Sequence, residues 1–277
     1  FTPDTETFAS IQKNIKRMEI VSKERLRDEF SKLIIGKHVA LGIKALVESN
    51  LVDYVIPEIK DLKIEVDPNH HHKDVYEHTL QVTSNVSQDL TLRLGALLHD
   101  IGKPATKGVD NGKVHFRHHE VVGARMTIDI LQKLRYPKKL ISSVALLVEN
   151  HLRPHTFKMG WTDSAVRRYI IDAGDMLEEL NELVRCDVTT KNNEKAETIY
   201  KYLDELEKRI EAVKEKEELS KLRPPVDGNE IMEILNLKPG PTLGKIMDSL
   251  YEQRINEGEV SKEQAIALAK EVLKTLK

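Results

Sequence analysis

The chain has 277 residues, 40% of them hydrophobic and 32% charged, with a formal net charge of −2. This composition is typical of an ordered, helix-forming globular protein, and the charge excludes a polycation that binds nucleic acid over its whole surface. No apolar run approaches the roughly 20 residues of a membrane-spanning helix, and the first residues do not resemble a signal peptide. Because the single cysteine, Cys186, excludes an internal disulfide, we expect a reducing, cytoplasmic setting without a membrane partner.

The first 66 residues predict a region of short helices. The apolar residues of the first helix follow the 3-and-4 spacing of one helix face: Phe8, Ile11, Ile15 and Met18. Ser22 is a candidate N-cap for a second helix, which Gly36 ends, and an amphipathic helix follows over 39–48. Pro57 and Pro68 then interrupt the chain.

Residues 67–192 predict a second region that is denser in helices. These are expected over 74–86, 90–98, 119–134, 138–151, 162–172 and 177–190. Residues 105–117 form a loop, and its turn signal, Asp110-Asn111-Gly112, allows a short hairpin that would be the only strand structure. The predicted fold class is therefore all-α.

Residues 193–277 predict a long charged helix and a helical tail. The long helix, 194–219, carries a heptad seam: Ile199, Leu203, Leu206, Ile210 and Val213. Only about two heptads are present, so packing against its own protein is favoured over a dimer zipper. Shorter helices should begin near residue 229, at Thr242 and at Ser261, which with Gln264 fits a capping box.

The histidines indicate a metal site, because ten of the eleven lie between residues 70 and 155. Hydrolytic metals need imidazole nitrogens and carboxylates that converge on one point, and facing helices can supply them. The candidates lie on or at the ends of separate helices, beside apolar residues: His78, His99, Asp100, His119, His151 and Asp187. A lone histidine on an apolar face is usually a core residue, but an ordered set makes that interpretation weak. Such ligands do not discriminate among Mn, Ni, Mg, Fe, Co and Zn.

His99-Asp100, within the sequence of residues 97–103, resembles the naming motif of the HD superfamily of metal-dependent phosphohydrolases. The resemblance implies that His78, His99, Asp100 and Asp187 are the core ligands of a divalent metal ion. It implies that His119 and His151 complete a second metal position or bind phosphate, and that Lys103 approaches a substrate phosphate. The following Gly123-Ala124 favours His119 over His118. Asp100, Lys103, His119 and His151 are thus the candidate catalytic residues.

A longer resemblance covers nearly the whole chain. Bacterial tRNA nucleotidyltransferases and poly(A) polymerases have similar stretches at 20–30, 70–80, 118–125, 187–192, 225–228 and 238–241. This implies a helical neck over 1–66, an HD bundle over 67–192 and a helical tail within 193–277. It also implies an RNA partner, tRNA in particular, and hydrolysis of 2′,3′-cyclic or nucleotide phosphates. The Gly-Ser pair and the two aspartates of the nucleotidyl-transfer head have no match, so this chain alone is not expected to add CCA or poly(A).

Clusters of basic residues fit an RNA partner, although the same pattern occurs on solvated helix faces. They are Lys13, Lys16 and Arg17; Lys23, Arg25 and Arg27; Lys133, Arg135, Lys138 and Lys139; and Arg167 and Arg168. Two alternatives to a phosphohydrolase remain open at this point. One is a non-catalytic RNA-binding module with a structural HD pocket, and the other is an HD domain that senses a nucleotide.

Overall fold

A computed structural model describes residues 4–64, 74–190, 192–217, 224–258 and 260–276. Within these ranges the chain is helical apart from loops, turns and one two-stranded hairpin, which confirms the all-α prediction. The chain divides into two compact units, Phe1–Pro154 with Asp175–Tyr200, and His155–Gly174 with Lys201–Lys277. The predicted boundaries after residues 66 and 192 stay predictions.

The first unit contains most of the helices. They are α1 (Thr5–Asn14), α2 (Lys23–Ile34), α3 (Val39–Glu48), α4 (Val75–Asn85), α5 (Leu90–Leu98), α6 (Lys103–Thr106), α7 (His119–Lys133), α8 (Lys138–Asn150) and, after α9 of the other unit, α10 (Leu177–Asp187). Short 3-10 helices cover Ile15–Ile20, Leu51–Tyr54 and Pro57–Leu62. The first predicted helix therefore ends as an α-helix at Asn14 and continues in the tighter form.

Local capping explains where several of these helices begin. The side chains of Asp74 and Asp89 accept hydrogen bonds from the backbone N–H groups of Tyr76 and Leu92, at 3.0 and 2.9 Å. From Leu92 onward every residue of α5 is buried, as the apolar run predicts. Its last residue, Leu98, therefore brings the following His99 and Asp100 into the interior.

The predicted hairpin is present. β1 (Lys107–Asp110) pairs antiparallel with β2 (Lys113–Phe116). Asn111 and Gly112 connect the strands with φ values of 51° and 73°, the left-handed backbone that a tight two-residue hairpin turn requires. The hairpin joins α6 to α7.

A buried arginine connects α5 to the end of α2 in the core of the first unit. Arg93 is 3% exposed. Its Nη1 donates to the carbonyls of Ile34 and Gly36 at 2.7 and 2.6 Å. These carbonyls lack partners within their own helix, so Arg93 acts as a C-terminal cap.

The second unit consists of α9 (Asp163–Ala173), most of α11 (Asn193–Glu217), α12 (Gly228–Leu235), α13 (Pro241–Glu257) and α14 (Lys262–Thr275). A further 3-10 helix, Arg153–Met159, begins at the end of the first unit, and another covers Gly174–Met176. The seam residues Leu203, Leu206, Ile210 and Val213 are buried within the chain, which confirms the preferred interpretation of the heptads. Ser261 and Gln264 form the predicted capping box. Among the described residues, no helix has both the length and the hydropathy that crossing a bilayer requires.

Candidate metal centre

The six predicted ligands lie on five elements of the first unit, and most stand at a helix end. His78 lies in the first turns of α4, and His99 with Asp100 directly follows α5. His119 is the first residue of α7, His151 follows α8, and Asp187 is the last residue of α10. The ends of these separate helices therefore meet at one place, as a bundle site requires.

His78, His99 and Asp187 form the first group of ligand atoms. The Nε2 atom of His78 lies 2.9 Å from Oδ1 of Asp187 and 3.2 Å from Nε2 of His99. Nε2 of His99 lies 3.5 Å from the same carboxylate oxygen. One donor atom from each residue thus falls within 4.8 Å of the other two, a separation that a single cation can span.

Asp100, His119 and His151 form the second group, again with ligand atoms within 4.8 Å of one another. Asp100 faces both groups. Its Oδ1 lies 3.4 Å from Nε2 of His119, and its Oδ2 lies 3.3 and 3.6 Å from Nε2 of His99 and of His78. This position suits a carboxylate that bridges two metal positions.

Lys103 forms an ion pair with the same carboxylate. Its Nζ lies 2.6 Å from Oδ2 of Asp100, and its side chain is about one-fifth exposed. The predicted approach of Lys103 to a phosphate therefore starts from an ion pair with a candidate ligand rather than from open solvent.

Hydrogen bonds to the outer side of each ring fix which nitrogen faces the centre. Nδ1 of His99, His119 and His151 lies 2.8, 2.8 and 2.6 Å from a backbone carbonyl, that of Ala96, Phe116 and Val148 respectively. A carbonyl can only accept, so each Nδ1 donates and Nε2 is the nitrogen that faces the centre; Nε2 carries a lone pair whenever the ring is neutral. Nδ1 of His78 instead contacts Oγ1 of Thr189 at 2.8 Å.

The chemistry of the donor set fits a divalent metal ion. Nε2 of His119 is buried and has no hydrogen-bond partner within the described part of the chain, which is costly unless something coordinates it. Four imidazoles with two carboxylates match the ligand preferences of zinc and the first-row transition metals. Metal-ligating histidines usually donate their other N–H to a carbonyl or carboxylate, as three of these rings do.

The electrostatics of the site follow from burial and from the two carboxylates. Burial opposes a charge on His99, but Asp100 and Asp187 outweigh it and raise the pKa of His99 to about 10. For His151, burial and the neighbouring His99 lower the pKa to about 3. Burial alone would raise the pKa of Asp100, yet His99 and His119 hold it well below its ordinary value.

Not every histidine takes part. The side chain of His118 is 81% exposed, whereas that of His119 is 8% exposed and reaches Asp100. His115 contacts Asp110 on the hairpin. His70, His71 and His72 lie outside the described residues.

Sequence reasoning assigned no role to Thr189 or to the close approach of two glycines. A Cβ atom on Gly102 would lie 2.2 Å from the carbonyl oxygen of His119 and 2.7 Å from the nitrogen of Gly123. The absence of a side chain at Gly102 therefore allows the start of α7 to reach Asp100. Gly102 and Gly123 are distant in the sequence, so no local sequence pattern predicts that they meet.

Comparison with known families agrees with the geometry. Residues 75–187 match the HD domain, and residues 1–63 match the family described as "Probable RNA and SrmB- binding site of polymerase A". The fold and the histidine and aspartate cluster thus define a protein with an HD domain, preceded by a region that matches the polymerase A family.

Relatives extend this assignment. The A-adding tRNA nucleotidyltransferase of Deinococcus radiodurans is 31% identical over 248 residues, which are 86% of this chain and 56% of that protein. The CC-adding tRNA nucleotidyltransferase of Thermus thermophilus is 31% identical over 257 residues, 89% of this chain and 56% of that protein. The chain is related to the CCA-adding tRNA nucleotidyltransferases and matches their C-terminal part. It spans about half the length of these curated relatives.

The fold is also similar to that of a solved structure. The crystal structure of the Bacillus stearothermophilus CCA-adding enzyme in complex with CTP aligns with a TM-score of 0.61 at 17% identity. The alignment covers 99% of this chain and 58% of that enzyme. At this identity the likeness concerns the fold alone.

Proposed function

We propose that this chain is a metal-dependent phosphohydrolase that acts on 2′,3′-cyclic phosphates or nucleotide phosphates and binds RNA, tRNA in particular. The observation that carries the proposal is the meeting of His78, His99, Asp100 and Asp187 with His119 and His151, with Asp100 between the two groups. The single cysteine suits a cytoplasmic setting.

In this proposal His78, His99, Asp100 and Asp187 hold a divalent ion, and His119 and His151 hold a second ion or the substrate phosphate. A bound ion of this kind supplies hydroxide near neutral pH by lowering the pKa of its water. Asp100 orients the attacking water, since its two oxygens face both groups. Lys103, which is paired with Asp100, offsets negative charge on the phosphoryl oxygens.

For a 2′,3′-cyclic phosphate the bond changes balance without another reactant. The water oxygen bonds to phosphorus, and one bond between phosphorus and a ribose oxygen breaks. A proton from the water then ends on the ribose hydroxyl that is released. The product is a phosphomonoester.

The test is turnover of 2′,3′-cyclic AMP by the metal-stripped chain after addition of Mn²⁺, Ni²⁺, Co²⁺, Mg²⁺ or Zn²⁺ in separate reactions. We expect activity with at least one metal, and a loss of at least about 100-fold in Asp100→Ala. Asp129→Asn is the matched control, because this exposed carboxylate lies on α7 away from the cluster. No turnover with any of the metals would reject the hydrolytic half of the proposal.

The match of residues 1–63 favours a second candidate, an RNA-binding module whose HD pocket is structural or binds a nucleotide without cleaving it. This candidate predicts salt-sensitive tRNA binding that persists in Asp100→Ala, with no turnover by either protein. A nucleotide sensor would in addition bind a small nucleotide tightly and release it unchanged. Absence of tRNA binding at low salt would eliminate the RNA-binding half of both candidates.

A further inference from the structure

We infer that an RNA strand binds across one basic patch formed by α2 together with the turn between α7 and α8. The patch consists of Lys23 and Arg27, which share one face of α2, with Lys133, Arg135, Lys138 and Lys139. The inference rests on the RNA-binding half of the proposed function and assigns it a surface. It includes residues of the HD domain as well as residues of the neck.

Direct contacts bring the two clusters together within the first unit, although more than a hundred residues separate them in sequence. Nη1 of Arg27 donates to the carbonyl of Arg135 at 2.8 Å. Nη1 of Arg135 pairs with Oε1 of Glu24 at 2.6 Å. Below these, the hydroxyls of Ser31 and Tyr136 lie 2.8 Å apart. These contacts place Arg27 beside Arg135, and Lys133, Lys138 and Lys139 lie within four residues of Arg135 along the chain.

The backbone of the turn supports this arrangement. Arg135 has a φ of 58°, a left-handed conformation that is uncommon for a residue with a long side chain. On either side of it, Leu134 and Tyr136 are buried in the core that α2 also enters. The core thus fixes the turn, while Arg135 and its basic neighbours remain on the outside.

Much of the positive charge of the patch is uncompensated. Glu24 pairs with Arg135, and Asp28 pairs with Arg27. Lys23, Lys133, Lys138 and Lys139 are exposed and make no ion pair within the described residues. No acidic residue lies in the first turn of α8, where Lys138 and Lys139 stand. The whole chain has a net charge of −2, so this local excess of cations does not reflect a basic protein as a whole. It indicates a polyanionic partner.

RNA is the polyanion that the chain itself favours. α2 lies inside the segment that matches the RNA-binding site of polymerase A. Exposed lysines without an ion pair suit phosphate contacts, which position a nucleic acid without reading its sequence. We therefore expect the patch to bind the backbone of tRNA and to discriminate little among base sequences.

The experiment compares two fourfold charge-removal variants of the whole chain by fluorescence anisotropy with labelled tRNA. The patch variant is Lys23→Gln, Lys133→Gln, Lys138→Gln and Lys139→Gln. The control removes four exposed lysines of the second unit, which have no ion pair among the described residues: Lys208→Gln, Lys214→Gln, Lys270→Gln and Lys274→Gln. Both variants change the net charge equally, and neither removes an ion pair seen in the structure.

We expect the patch variant to bind tRNA about 10-fold or more weakly at about 0.1 M salt, and the slope of log K against log[salt] to become shallower by about 3. The control should change each quantity by less than half as much, and both variants should keep the thermal midpoint and the metal-dependent turnover of the unmodified chain. Equal losses in the two variants, or no loss in the patch variant, would overturn the patch while leaving tRNA binding intact. Absence of tRNA binding by the unmodified chain would overturn the patch and the RNA-binding half of the proposed function together.

Discussion

Replacing Gly102 with alanine tests whether the contact between α6 and α7 positions the metal centre. The new Cβ would lie 2.2 Å from the carbonyl oxygen of His119 and 2.7 Å from the nitrogen of Gly123. Both atoms belong to the backbone, so no side-chain rotation can relieve the overlap, and α7 must move by about 1 Å to restore an ordinary contact. The φ and ψ of Gly102, −80° and −14°, suit alanine, which leaves the overlap as the reason for any loss.

The magnitude follows from these distances. Overpacking of this kind destabilises by about 1–3 kcal/mol, against a gain of at most about 1 kcal/mol from alanine in a helical position. A net loss of about 2 kcal/mol lowers the thermal midpoint of a unit of this size by about 4–8 °C. A shift of about 1 Å at His119 also exceeds the roughly 0.2 Å tolerance of a metal–ligand distance, so metal affinity should fall with stability.

Calorimetric unfolding in the presence of a chelator, followed by titration with Mn²⁺, measures both effects. Gly244→Ala is the matched control, since nothing lies within 4 Å of its Cβ position in α13. The control should unfold at the same temperature or slightly higher. If Gly102→Ala unfolded within about 1 °C of the unmodified chain and kept its Mn²⁺ affinity, the positioning role of the glycine contact would be wrong.

Three further predictions concern single side chains. Thr189→Ala should weaken Mn²⁺ binding by about 10- to 100-fold because the ring of His78 loses its outer hydrogen bond. Thr189→Ser keeps the hydroxyl and should keep the Mn²⁺ affinity. Equal titration curves for the two variants would contradict this. Arg93→Met should lower the free energy of unfolding in urea by about 2–4 kcal/mol, since the buried carbonyl of Ile34 and the half-buried carbonyl of Gly36 lose a charged donor. A loss below about 1 kcal/mol would argue against the capping role. Ser261→Ala should reduce the stability of the second unit by about 1 kcal/mol through loss of the capping box. Ser249→Ala is the control, because the hydroxyl of Ser249 donates only to the carbonyl of Lys245, and it should change the stability by less than about half as much. Similar thermal shifts in both variants would refute the capping role of Ser261.

The fold was predictable where the signal was local. The apolar run from Leu90 predicts α5, and Asn111-Gly112 predicts the hairpin turn. The 3-10 segment at Pro57–Leu62 was not predicted, because Pro57 was interpreted as an interruption of the chain. The continuation at Ile15–Ile20 was assigned to an α-helix, since i and i+3 spacing is shared by both helix types.

The site depended on information of another kind. Periodicity places His78 and Asp187 on helices. It does not predict that Nε2 of His78 and Oδ1 of Asp187, about a hundred residues apart in the sequence, lie 2.9 Å from each other. The order of the motif supplied that link through the resemblance to HD phosphohydrolases. The contacts of Thr189 and Gly102 and the hydrogen bond from Arg27 to the carbonyl of Arg135 depend on tertiary packing. Local sequence patterns therefore could not predict them.

Three of the imidazoles are oriented by their own stretch of chain. His99, His119 and His151 each donate from Nδ1 to the carbonyl of the residue three positions earlier. The orientation of each ring is thus established by the four residues that end at the histidine and does not depend on the neighbouring ligands. Deleting one of them should leave the remaining donors correctly pointed, so affinity for the ion would decline stepwise with each deletion instead of disappearing at the first.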